Sequence, residues 1–114
     1  GVELAGAVAE ISRHTLARDF RNIDPSRTRV LLIEAGERIL ASFAEDLSKK
    51  AARDLEALGV QIWTRSRVTK ISGEEVQLGG EAVRARTVLW AAGVGASPLN
   101  AKLGVPLDRA GRVV

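Results

Sequence analysis

Cysteine is absent from the 114 residues. This excludes disulfides, thiolate metal ligands and cysteine nucleophiles from the chain. A single histidine, His14, leaves too few nitrogen ligands for a structural zinc site. Aromatic residues make up only 4% of the sequence, and the net charge of +3 comes from Lys and Arg interleaved with acids. A nucleic-acid surface carries a clustered basic face with aromatic or motif support, so no nucleic acid is expected as a partner. No apolar run approaches the roughly 18 residues that span a bilayer. No charged-then-apolar leader with a small-residue cleavage site opens the chain, and its first residue is Gly1. Internal repeats and low-complexity segments are lacking as well.

What is present suits one domain, residues 1–114, with 46% hydrophobic residues for a modest core. Leu4, Ala5, Val8, Ile11 and Leu16 recur at helical spacing and predict a helix over 2–18. A polar loop with a turn signal at Asp24-Pro25-Ser26 follows. Val30-Leu31-Leu32-Ile33 is a continuous apolar run, the pattern of a parallel strand covered on both faces. Ser42-Phe43-Ala44-Glu45 reads as a capping box with Ser42 as N-cap. The helix it opens carries Leu47, Ala51, Leu55 and Leu58, exposes Lys49, Lys50 and Arg53, and ends at Gly59 in a left-handed cap. Val60–Trp63 reads as a strand. Short alternating runs over 66–85, separated by Ser72-Gly73-Glu74 and Gly79-Gly80, predict a three-stranded antiparallel meander. Thr87–Ala92 reads as a further strand broken by Gly93. The segment 94–112 reads as loop with one helical turn, and Gly111–Val114 as the first residues of a strand. Trp63 and Trp90 are expected to be packing residues and His14 a solvated one. The fold class is α/β, a Rossmann-like parallel sheet with an antiparallel meander, which begins with a helix where such a domain begins with a strand.

The residues that carry chemistry lie at the ends of these elements. Gly1 opens a helix directly, as the third glycine of Gly-x-Gly-x-x-Gly does, where the helix N-terminus offers free N–H groups to a pyrophosphate. Gly6, on the helix, would permit close packing against the sheet. A helix start with no ligand is the alternative. Glu34 ends the buried strand, where an acid accepts hydrogen bonds from ribose hydroxyls and repels a 2′-phosphate. An ordinary exposed acid at a strand end is the alternative there.

Gly1-Val2-Glu3-Leu4-Ala5-Gly6-Ala7, Asp19–Pro25, Leu32-Ile33-Glu34-Ala35-Gly36, Val88-Leu89-Trp90-Ala91-Ala92-Gly93-Val94 and Leu103–Asp108 through Gly111-Arg112-Val113 occur in order along the whole chain. Together they resemble the type II (non-proton-pumping) NADH dehydrogenases of the FAD-dependent pyridine nucleotide-disulfide oxidoreductase family. The resemblance implies a parent respiratory-chain flavoprotein in which hydride passes from NADH to FAD and electrons pass on to a quinone. The parent would be peripheral on the cytoplasmic face of the membrane. The chain would be its NADH-binding part, soluble and inactive by itself, with the FAD site elsewhere in the parent. Glu34 then matches the ribose acid, and Glu3 an acid near the nicotinamide–flavin contact, although a first-turn acid favoured by the helix dipole reads equally well. Gly93 matches the glycine beside the nicotinamide half, and Val68 lies where backbone groups approach adenine. Two strands without their central neighbour carry unpaired edges, which predicts homo-oligomerisation, strand exchange, or closure of 87–92 onto 30–34. A structural or interaction module with no measurable nucleotide binding is the rival reading.

Overall fold

The computed structural model describes the backbone of residues 1–114 and every side chain except those of Ala17 and Ser26. The first helix runs as α1 (Val2–Glu10), a π-helical stretch (Ile11–Thr15) and α2 (Leu16–Asp19). Inside the helix Ser12, buried, donates its hydroxyl to Ala9 O at 2.9 Å. β1 (Val30–Ile33) pairs in parallel with β2 (Val60–Trp63), Val30 opposite Val60 and Ile33 opposite Trp63. The crossover between them contains α3 (Glu45–Ala57). β3 (Val68–Ile71), β4 (Glu75–Leu78) and β5 (Glu81–Arg84) form the antiparallel meander expected from the turn signals. The chain is therefore mixed α/β, with a two-stranded parallel sheet and a three-stranded antiparallel one.

One core joins α1, α3 and the parallel pair. Ala5, Ala9, Ile39, Leu55 and Val60 are buried together, with Val2, Val30, Leu32, Ala51, Ala52 and Ile62 packed around them. Burial of a Leu or Val side chain contributes about 1.5–3 kcal/mol, so Leu55 and Val60 anchor this core. The buried stripe of the first helix is Ala5, Ala9 and Ser12; Leu4 and Ile11, expected on it, are exposed. Small residues face inward because α1 lies close to its neighbours. A Cβ placed on Gly6 would lie 3.4 Å from Leu55 Cδ2 and 3.9 Å from Leu58 Cδ1. The close approach at Gly6 is thus to α3 and not to the sheet. None of the clustered core residues comes from the meander, and the radius of gyration is 17.5 Å. A compact domain of this length has about 13 Å, so the molecule is elongated.

Several expectations need correction. α3 is capped by Ala44, with no side-chain cap bond, and not by Ser42. Arg38 explains the shift: its guanidinium donates to Ala41 O and Phe43 O, both at 2.9 Å, and folds 40–43 into a turn with Leu40 at φ 51°. The helix starts only after that turn, and Glu45 pairs with Lys49 at 2.7 Å instead of reaching back. Residues 87–92 form no strand, and 87–92 does not close onto β1. A strand exists by its ladder bonds, and among the described residues 87–92 has no ladder partner. Trp90, expected to pack, is 66% exposed as a consequence. Residues 111–114 contribute one isolated bridge, Leu107 to Val113, in place of the start of a strand. The helical turn expected after residue 94 is a 3-10 helix, Pro98–Leu103. The Gly59 cap is as expected: φ is 83° and its N–H donates to Glu56 O at 2.8 Å.

The turn between β1 and α3 is tied down by Ser48, which is buried and donates to Ile39 O at 2.6 Å. Ser48→Ala leaves that carbonyl unsatisfied. It should lower unfolding free energy by about 1–3 kcal/mol in chemical denaturation. In the C-terminal turn, Asp108 Oδ1 accepts from the N–H groups of Ala110 and Arg112 at 2.8 and 2.9 Å, and Oδ2 accepts from Arg112 Nε at 2.7 Å. The Arg112 backbone and side-chain bonds hold its carboxyl below the ordinary aspartate range. A lowered folded-state pKa stabilises above the unfolded value and is lost as pH falls through the folded one. An NMR pH titration of the Ala110 and Arg112 amides should therefore show the turn intact at pH 5 and above. It should loosen only below about 3.9, the usual Asp value.

Candidate functional site

Parallel pairing sets the C-terminal ends of β1 and β2 side by side, and the chain crosses between them there. Glu34 N–H donates to Trp63 O at 2.9 Å, Ser66 N–H to Glu34 O at 3.0 Å, and Arg65 N–H to Gly36 O at 2.8 Å. The half-buried Glu34 carboxylate folds back, and its Oε1 accepts from Gly36 N–H at 2.7 Å. That close approach requires the glycine: a Cβ on residue 36 would sit 3.2 Å from Glu34 Oε1. Among the described residues Oε2 takes no hydrogen bond. Glu34 is therefore a pre-oriented acceptor at the carboxyl end of a parallel strand. Crevices of open α/β sheets bind ligands at that end.

Gly1 lies at the start of α1, and its carbonyl accepts from Ala5 N–H at 2.9 Å. A Cβ on it would meet Leu32 Cδ1 at 3.6 Å, Ala91 O at 3.9 Å and Ala91 Cβ at 4.0 Å. The helix start, the middle of β1 and the segment leading to Gly93 thus converge. Gly93 itself is exposed at φ 105° with open space around it. Glu3 is an exposed acid in the first turn of α1, and among the described residues its side chain has no hydrogen-bond partner. Val68, half-buried, opens β3 two residues after Ser66, which bonds to Glu34 O. Two groupings result, one around Gly1 and Ala91 and one around Glu34 and Ser66, joined through β1.

Sequence reading missed three participants at the second grouping. Gly36 supplies the N–H that orients the acid, and the Glu-x-Gly spacing was its visible signal. Arg65 sits at φ 52° and carries the bond to Gly36 O. Glu37 lies 3.4 Å from the Arg65 guanidinium. A shallow depression of about 270 Å³ lined by Glu74, Arg84, Ala85 and Arg86 involves none of these residues. Among the described residues no cluster of metal-ligating side chains occurs, and no helix is long and apolar enough to cross a membrane.

Residues 1–114 match the family model described as pyridine nucleotide-disulphide oxidoreductase. The chain is 38% identical over 124 residues to the type II NADH:quinone oxidoreductase NdhA of Mycobacterium tuberculosis, covering 100% of this chain and 26% of the relative. It is 33% identical over 114 residues to the NADH dehydrogenase-like protein YutJ of Bacillus subtilis, covering 100% of this chain and 28% of that one. The chain thus spans about a quarter of the length of the curated relatives it matches. Among solved structures, the HOCl-induced flavoprotein disulfide reductase RclA from Escherichia coli, in its Cu(II) complex, superposes with a TM-score of 0.62 at 21% identity. That match covers 100% of this chain and 24% of RclA, and it supports the fold alone. The resemblance read from the ordered motifs is borne out, and with a family model matched over its full length the chain belongs to the pyridine nucleotide-disulphide oxidoreductase family.

Proposed function

We propose that the chain is the NADH-binding part of a flavin-dependent NADH dehydrogenase, in which hydride passes from NADH to FAD and electrons pass on to a quinone. The observation that carries this reading is Glu34. Its carboxylate is held by Gly36 N–H at the end of a parallel strand with Oε2 open, which suits the paired hydroxyls of a ribose. The relatives' names, type II NADH:quinone oxidoreductases, support the nucleotide and the quinone. The residues present fit the nucleotide. Gly1 gives the start of α1 a close backbone approach beside Leu32 and Ala91, and the unpaired N–H groups of a helix start suit a pyrophosphate. Glu3 and Gly93 would lie toward the nicotinamide, and Val68 toward adenine. NADH when bound supplies the hydride; the chain's own residues bind and orient it. The FAD site belongs to the rest of the parent flavoprotein, which is peripheral on the cytoplasmic face of the membrane.

A second reading, an interaction module without nucleotide affinity, is favoured by one observation. Val88, Leu89 and Trp90 are exposed together, and among the described residues one edge of β1 has no partner. Calorimetric titration with NADH separates the two. Saturable binding at millimolar or tighter concentration is expected, weakened about tenfold or more by Glu34→Ala, as loss of a charged hydrogen bond implies. Absence of heat in every titration would favour the module. With FAD and a quinone added, the chain alone should sustain no NADH oxidation.

The same open edge makes self-association or strand exchange the expected behaviour of the isolated chain. Light scattering should report a species larger than the 12.2 kDa monomer that grows with concentration. A monomer at all concentrations would contradict this.

A further inference from the structure

The first helix and α3 pack through two glycines, one from each side. A Cβ on Gly6 would contact Leu55 Cδ2 and Leu58 Cδ1, and a Cβ on Gly59 would overlap Arg13 Nη2 and Cζ and lie 2.8 Å from Arg13 Nε. The Arg13 guanidinium thus lies against the α-carbon of Gly59, in space that any other residue would fill. Gly59 follows the C-cap of α3 at φ 83°, where the negative end of the helix dipole favours a cation. Among the described residues no ion pair engages Arg13, so an acid does not hold the guanidinium in this seat. Arg13 stands four residues after buried Ala9 and beside buried Ser12, and it leaves the helix next to its packed face. The rest of that face, Ala5, Gly6, Ala9 and Ser12, is small. Interlocking ridges and grooves hold one helix along another, and small side chains raise shallow ridges. Arg13 supplies the long one.

The two helices serve different ends of the candidate site. The first begins at Gly1, beside Leu32 and Ala91. α3 lies in the crossover that leaves β1 through Glu34 and Gly36. A slide of the first helix along α3 would therefore change the separation between Gly1 and Glu34. We infer that Arg13 is a positioning residue for the nucleotide: seated on Gly59, it fixes the first helix along α3 and so sets the helix start against Glu34. This rests on the reading of Gly1 as the pyrophosphate end and Glu34 as the ribose end of an NADH site. Arg13 itself is about 18 Å from Gly1 by helical rise and acts only through the helix.

The test is titration of the unaltered chain, Arg13→Ala, Gly59→Ala and the double variant with NADH and with adenosine, followed by the NMR shift of the Gly36 amide. NADH spans both ends of the site, and adenosine reaches the Glu34 end alone. Arg13 is exposed, so its loss leaves the core intact, and circular dichroism checks the fold of each variant. Arg13→Ala should weaken NADH about three- to tenfold, the range for a residue that couples two sites, and leave adenosine binding unchanged. Gly59→Ala evicts the guanidinium and should do the same. The double variant should lose no more than either single one, because both remove one contact. Equal weakening of NADH and adenosine, unchanged NADH binding, or additive losses would overturn the inference. If the unaltered chain binds no NADH, the NADH-binding reading fails separately. The hold of Arg13 on the helix is then read without ligand, from the amide signals of Val2 and Glu3. Their movement in Arg13→Ala supports it, and signals that stay in place overturn it.

Discussion

Parallel strands cannot be joined by a tight turn, so the pairing of Val30–Ile33 with Val60–Trp63 obliges the chain to cross over between them. The crossover is α3, and it buries Leu55 against Ala5 and Ala9 of α1 and Val60 of β2. Everything of functional interest hangs from that arrangement. Because the ladder runs in register to Ile33 and Trp63, the next residue, Glu34, donates its N–H to Trp63 O and receives Ser66 N–H on its carbonyl. The acid is thus fixed by backbone bonds before its side chain is considered.

The same constraint explains which elements could be read from sequence. Val30–Ile33 and Val60–Trp63 are short apolar runs whose partner is present, and both became strands. The meander was legible because each hairpin closes on itself through local turns at Ser72–Glu75 and Gly79–Gly80. Thr87–Ala92 has a pattern as apolar as β1, yet it lacks a ladder neighbour and is not a strand. Composition describes what a segment would do if paired and says nothing of whether a partner is there. The capping box failed for a different reason. Ser42 and Glu45 are correctly spaced, but Arg38 donates to the carbonyls of Ala41 and Phe43 and holds the residues around Ser42 in a turn. A long side chain reaching five residues ahead leaves no periodic signal.

The candidate site was legible to the same degree. Glu34 follows from its place at the end of an apolar run, and Gly1 from its place at a helix start. Their convergence with the segment before Gly93 depends on packing that pattern alone does not specify: Gly1 against Leu32 and Ala91. Gly36 showed only as a Glu-x-Gly spacing and Arg65 not at all, because their contributions are made by backbone, one through an N–H and the other through a left-handed residue. A sequence motif names side chains, and this site is oriented mainly by amides.

That division bears on how the candidate site would hold a ligand. An exposed acid on a mobile loop would spend affinity on being ordered when a ligand arrives. Glu34 is held by one bond to its carboxylate and two to its backbone, so one oxygen stays directed while the other is engaged. The exposed pair Glu37–Arg65 is built oppositely, with a fixed backbone and loosely paired side chains. Rigid placement suits recognition of a group that is always present, such as a ribose.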